Sequence, residues 1–312
     1  MSRNRWRLKG GKGKERRMAE LRRFRGSVIL ILCILSFLHP GYAQEREPDV
    51  RYVPTPEEVV MEMLKMARVT SSDVVYDLGC GDGRIVITAA KVFGARGVGV
   101  DIDPVRIKES NENALKAGVT DRVKFVEGDL FKIDLSEASV VTLYLLEGLN
   151  LQLRPKLFRE LKPGARIVSH EFGMDDWKPD NAGVVRDMKL YYNPKAPHVK
   201  DTPYYYWVIP ANVSGTWHWS LSGATSQQVH TLRLDQKFQE VSGEINLAGR
   251  KAPISDARLV GDQLSFTFTD DKGRQKIVMT FNGRITGDAI SGNVQVQRGG
   301  SFVRSFLWTA KR

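Results

Sequence analysis

The chain has 312 residues, with 47 Lys and Arg against 36 Asp and Glu, for a formal net charge of +11. Residues 1–43 hold eleven of the basic residues against only Glu15 and Glu20, so +9 of that excess is local and the remainder of the chain is near neutral. This argues against a basic nucleic-acid-binding face, and with Cys33 and Cys80 as the only cysteines it argues against a disulfide-stapled fold.

In chain order, the basic run is followed by an apolar stretch, Val28 to Leu38, interrupted only by Ser36, and then by the small residues Gly41 and Ala43. That order is the pattern of a secretory signal with cleavage after Ala43. An uncleaved anchor is the alternative, although the apolar stretch is shorter than the roughly 20 residues of a spanning helix and Pro40 and Gly41 interrupt it. Either way the basic flank stays inside and the rest is exported, to a periplasmic or envelope location with possible membrane association.

Thr55 and Glu58 have the spacing of a capping box and Pro56 suits a first helical position, so a helix is expected from Thr55, with Val59, Val60, Met63, Leu64 and Ala67 on its apolar face. Val74–Leu78 reads as a buried strand, Arg84–Phe93 as a helix stopped by Gly94, and Gly97–Asp101 as a second strand. Asp103 and Pro104 open a helix that ends at Ala117 and Gly118. VKFVEGD (123–129) gives a third strand, SVVTLYLL (139–146) a fourth, Leu149–Leu161 a helix, and ARIVSHEF (165–172) a fifth strand. Strands alternating with helices imply an α/β unit with a parallel sheet covered on both faces. Two further strands, Val184–Tyr192 and Tyr204–Ile209, would complete a seven-stranded sheet as an antiparallel pair.

From Ala211 the helical period disappears, and short alternating segments are separated by DDKG, NG and SG turns. An antiparallel sandwich or barrel of about 100 residues is expected there, with Trp217, Trp219 and Trp308 in its core and a substrate-docking or oligomerising role. The expected organisation is therefore 1–43 signal or anchor, 44–210 α/β domain and 211–312 β-rich accessory domain.

The stretch YDLGCGDGRI (76–85) carries the chemistry. In a parallel sheet ligands bind at the carboxyl ends of the strands, and Gly79, Gly81 and Gly83 permit a tight turn with close backbone approach. The spacing is GxGxG, not the GxGxxG of dinucleotide folds, which counts against a dehydrogenase. Asp77 beside the loop suits a ligand with an ammonium or sulfonium. Asp101 is placed to accept two ribose hydroxyls, and Asp129 to face an adenine amino group. The ligand with those features is S-adenosylmethionine.

DLGCGDG, GVGVDIDP and VEGDLF resemble the first three motifs of the class I, seven-strand methyltransferases, over about Tyr52 to Pro210. With YVPTP upstream and DDWKPD downstream, the chain is similar to the small protein-lysine methyltransferases related to those that modify the ATP synthase c subunit and the ADP/ATP carrier. Cys80 stands where that family's pattern has serine, and Asp101 where it has glutamate. The resemblance implies a Rossmann-like fold and a cofactor site of Tyr52, Thr55, Asp77, Gly79, Gly81, Asp82, Gly83, Asp101 and Asp129. It implies that the Tyr52–Thr55 segment folds over the methionine end of the cofactor, and that Tyr144 and Glu147 meet the methyl acceptor, a protein lysine. His170 and Trp177 read as structural residues. The alternative function is an exported, non-catalytic binding protein that keeps the methyltransferase fold.

Overall fold

A computed structural model describes residues 50–189, 199–220, 229–271 and 273–312; the expected signal segment at 1–43 lies outside these residues. Helix α1 spans Glu57–Met66 and turns Val59, Val60, Met63 and Leu64 inward, as its apolar spacing requires. Its N-cap is Pro56, without a side-chain cap. The capping box expected at Thr55 is therefore not formed: the Thr55 hydroxyl lies 3.2 Å from His170 Nδ1, a partner on another element.

β1 (Val74–Leu78), α2 (Arg84–Phe93), β2 (Arg96–Asp101), α3 (Pro104–Ala117), β3 (Val123–Glu127), β4 (Val140–Leu143), α4 (Glu147–Glu160) and β5 (Arg166–His170) follow in order. Glycines in the left-handed region end α2 and α3, and Asp103 caps α3 by accepting from Val105 N at 2.8 Å. β6 (Asn181–Lys189) and β7 (Val199–Val208) close the sheet, whose order is β3-β2-β1-β4-β5-β7-β6. β7 runs antiparallel to both β5 and β6, while β1 to β5 pair in parallel.

Because side chains alternate across a strand, the sheet has two cores. Val75, Val140 and Val168 pack with α1 and α2 on one face. Leu78, Val141, Leu143 and Ile167 pack with Leu153 and Leu157 of α4 on the other, joined by Trp177 and Trp207. The chain order reverses between β1 and β4, so a crevice opens at the carboxyl end of β1.

The second sheet comprises β8 (Gly215–Ser220), β9 (Val229–Lys237), β10 (Glu240–Leu247), β11 (Arg250–Pro253), β12 (Ser255–Val260), β13 (Gln263–Asp270), β14 (Ile277–Thr286), β15 (Ala289–Arg298) and β16 (Ser301–Lys311). Its order, β11-β10-β9-β8-β16-β15-β14-β13-β12, curls into an almost closed barrel, and Ile254 N donates to Gly243 O across the closing edge at 3.0 Å. Trp217, Trp219 and Trp308 are buried in its interior. Phe266 stacks on Phe281 with centroids 4.7 Å apart, and Trp308 meets Phe281 edge-on at 5.2 Å. The two sheets are bonded to each other: Trp177 Nε1 donates to Gln239 Oε1 at 2.8 Å, and Ala211 N donates to Gly261 O at 2.8 Å.

Candidate active site

β1 delivers Asp77 to the crevice, and the chain then turns through the glycines. Gly79 N and Cys80 N both donate to Val100 O of β2, at 2.8 and 3.0 Å, which pins the turn to the neighbouring strand. Gly81 has φ +53°, and a Cβ there would lie 2.2 Å from the Tyr52 ring. Gly83 is the N-cap of α2 at φ +78°, where a Cβ would lie 2.6 Å from the Phe125 ring and 2.8 Å from Ser110 Cβ. These two glycines thus permit close packing of ring and chain, while Gly79 lines the cavity itself.

That cavity has a volume of about 430 Å³. Asp77, Asp82, Asp101 and Asp129 line it, together with the apolar Val100, Ile102, Leu130 and Leu149. Asp101 Oδ2 accepts from Gly81 N at 2.8 Å and Oδ1 from Asp103 N at 3.0 Å. A carboxylate oxygen has two lone pairs, so each retains the capacity to receive one hydroxyl. Asp77 is fully buried, and its Oδ1 accepts from Thr142 Oγ1 at 2.8 Å. Burial, followed by the charges of Asp101 and Asp82, outweighs the Thr142 bond and pushes its carboxyl up to about 7. A cationic group placed beside it would relieve that strain. Asp129 accepts from Phe131 N at 2.9 Å, which sets its carboxylate on the turn after β3.

The segment Val50–Thr55 forms one wall of the cavity as a strap. Tyr52 packs on Gly81 beneath the Arg106 guanidinium, 4.8 Å from its ring centroid. Burial and the neighbouring Asp82 carboxylate push its phenol up to about 12. Asp82 is held by Arg84, whose Nε lies 3.0 and 3.1 Å from its two oxygens and whose Nη2 lies 2.7 Å from Oδ2. Burial acts to raise Asp82, but the Arg84 bonds and charge prevail and keep it below the usual carboxylate range. Arg84 Nη1 also donates to Thr55 O at 2.9 Å, so one arginine ties strap and loop together. Asp82 is thus a wall residue already engaged by Arg84 and Tyr52.

On the far side, Tyr144 follows β4 and lines the cavity. Glu147 does not: it is the exposed first residue of α4, outside the cavity lining. The carboxylate that reaches Tyr144 is Glu171, whose Oε2 accepts from the Tyr144 hydroxyl at 3.1 Å. His170 and Trp177 are buried. His170 underlies Tyr144, with ring centroids 3.9 Å apart, so its structural reading gains a place at the site. Arg84 and Glu171 escape a sequence reading because the contacts that bring them to the site are distant: Arg84, besides its neighbour Asp82, meets Thr55 across 29 positions, and Glu171 meets Tyr144 across 27. The available signal was only that each stands at an element end beside the strand termini.

A family model described as the ANTKMT methyltransferase domain matches residues 77–181. A protein-lysine N-methyltransferase of Saccharolobus islandicus (strain REY15A) is 55% identical over 141 residues, covering 45% of this chain and 88% of that protein. The human lysine N-methyltransferase of the ATP synthase c subunit is 37% identical over 157 residues, covering 50% of this chain and 65% of that protein. A crystal structure described as an RNA methyltransferase from Salinibacter ruber in complex with S-adenosyl-L-homocysteine is 52% identical, covers 52% of this chain and 96% of that chain, and superposes with a TM-score of 0.46.

Proposed function

The chain belongs to the class I S-adenosylmethionine-dependent methyltransferases, in the family of the ATP synthase c subunit and ADP/ATP carrier type lysine methyltransferases, and from that premise we propose that it methylates the ε-amine of a protein lysine. The observation that carries the lysine reading is the 55% identity to a protein-lysine N-methyltransferase over 88% of that protein.

When bound, S-adenosylmethionine supplies a methyl group on a sulfonium, open to in-line displacement without a metal or a covalent enzyme intermediate. The residues present fit it. Asp77 would hold the ammonium, since its buried carboxyl gains most from a cationic neighbour. Asp101 would receive the ribose hydroxyls on its remaining lone pairs, and Asp129 the adenine amino group. Val100, Ile102, Leu130 and Leu149 offer the apolar walls that a purine ring needs. The chain's part in catalysis is then alignment and exclusion of water, with the strap as one wall. A lysine acceptor must also reach the site as the free amine, which costs about 4 to 5 kcal/mol at pH 7 if its pKa stays near 10.4.

Incubation of the protein with radiolabelled cofactor and extracts of its host, followed by mass spectrometry, tests the reading. Methylated lysine on a polypeptide is the expected result; label confined to RNA, lipid or small molecules would reject it. Cofactor binding with no transfer to any fraction would favour the non-catalytic alternative. From the order of residues 1–43 we also propose export, with a mature N-terminus at Gln44. N-terminal sequencing of fractionated protein checks this, and full-length protein in the cytoplasm would contradict it.

A further inference from the structure

Two strand ends meet beside the cavity in an arrangement that the cofactor contacts leave unused. Tyr144, one residue beyond β4, lines the cavity and donates its hydroxyl proton to Glu171 Oε2 at 3.1 Å. Its ring is fixed from below by the buried His170 imidazole, which is itself bonded to the strap through Thr55 at 3.2 Å. Glu171 follows β5 with φ +61°, a left-handed backbone that residues with a Cβ rarely adopt. Its amide donates to Pro203 O at 2.8 Å, so neighbouring β7 holds this conformation in place. Glu171 is only half-buried, so core packing does not call for a glutamate there.

A phenol that gives its one proton to a carboxylate turns its oxygen lone pairs elsewhere. Tyr144 lines the cavity, and the carboxylate behind it keeps the local potential negative. An oxygen in that setting accepts N–H groups and disfavours oxyanions.

We propose that Tyr144 and Glu171 form the receiving site for a cationic amine of the methyl acceptor, with Tyr144 as the contact and Glu171 as its positioning residue. The inference rests on the lysine reading and deepens it: the site selects ammonium and amine groups over carboxylate or thiolate acceptors. It also assigns the acceptor-side charge to Glu171 and not to the exposed Glu147.

NMR titration of the full chain, loaded with S-adenosylhomocysteine, with Nα-acetyl-lysine amide and with Nα-acetyl-norleucine amide tests this without knowledge of the natural acceptor. The lysine amide should bind more tightly by about tenfold or more, the range of one charge-assisted hydrogen bond. Tyr144→Phe and Glu171→Gln should each remove most of that preference while S-adenosylhomocysteine affinity stays within about twofold. Glu147→Gln should change neither. Glu171→Gly relaxes the left-handed backbone, so it should lose the preference with an unchanged or higher melting temperature. In turnover, Glu171→Gln should raise the acceptor KM more than it lowers kcat. Equal binding of the two amides by the unaltered protein would overturn the proposal. So would a preference that survives both Tyr144→Phe and Glu171→Gln. A protein that prefers the lysine amide but labels only RNA or lipid would reject the lysine function and leave the amine site standing.

Discussion

The parallel sheet gathers carboxylates at one end, whereas the antiparallel sheet gathers aromatic rings in its middle. Asp77 and Asp101 lie in β1 and β2 at their carboxyl ends, and Asp129 follows β3 by two residues, because parallel strands all leave the sheet on the same side. Their exits converge, and the turns between strand and helix leave polar backbone beside the crevice. In the second sheet paired neighbours run antiparallel, as β14 and β15 do across the turn at Gly287 and Asp288, so exits scatter to both ends. Curling that sheet then fills its interior with Trp217, Trp219, Phe266, Phe281 and Trp308. The same backbone hydrogen bonds therefore build a site in one case and a packed interior in the other.

The sharpest way to break this comparison is Trp308→Ala. The indole packs on Trp219, Phe266 and Phe281 and donates to Asn282 O at 3.1 Å. Its loss should destabilise the barrel by about 3 to 5 kcal/mol, measured by urea unfolding. S-adenosylhomocysteine affinity in calorimetry should stay within about twofold. A folded variant that no longer binds would show that the site depends on the barrel interior.

Asp101→Ala acts on the other sheet. It removes the acceptor of Gly81 N and Asp103 N as well as the expected ribose contact, and should weaken S-adenosylmethionine binding by about 1.5 to 3 kcal/mol. An unchanged dissociation constant would remove Asp101 from the cofactor site.

Asp77 gives the site a pH signature opposite in chemistry to that of the barrel, where burial lowers the pKa of the His230 imidazole. Its carboxyl is pushed from 3.8 to about 7 in the folded protein, so between about pH 4 and 7 the folded state holds a proton that the unfolded state releases. Its contribution makes the ligand-free protein less stable as pH rises through that window. A cationic ligand favours the ionised form, so S-adenosylmethionine should bind about tenfold more tightly at pH 8 than at pH 6. Asp77→Asn should flatten this dependence in calorimetry; a slope that persists would place the titrating group elsewhere.

Gln239→Ala probes the joint between the sheets. Gln239 accepts from Trp177 Nε1 at 2.8 Å and donates to Lys178 O at 2.8 Å. Its loss should cost about 0.5 to 1.5 kcal/mol in thermal unfolding, without effect on cofactor affinity.

Much of the α/β layer was legible because its signals are local. α2 runs between Gly83 and Gly94, and α3 between Asp103 and Gly118, with the expected bounds. That Asp77, Gly79, Asp82, Asp101 and Asp129 line the cavity was legible for the same reason: strand ends and glycine turns are written in consecutive residues. Thr55 misleads because its capping-box spacing is local while its hydroxyl partner, His170, is 115 positions away. α4 starts at Glu147, two residues before the expected Leu149, which moves Glu147 from the strand rim into an exposed first turn. The placement of Glu171 depends on the pairing of β5 with β7, and no neighbouring residue announces it. In the barrel the alternation was visible, but the NG expected as a turn, Asn282 and Gly283, lies inside β14, where a Cβ at Gly283 would crowd Ile290 and Trp308. The closure from β12 back towards β10 was not visible either, since edge pairing follows from twist and side-chain volume accumulated over nine strands.

Thr55 joins two walls of the cavity. Its carbonyl receives Arg84, which holds Asp82, and its hydroxyl meets His170, which underlies Tyr144. Displacing the strap would therefore break both contacts at once, so the arginine that holds Asp82 and the imidazole beneath Tyr144 share one anchor.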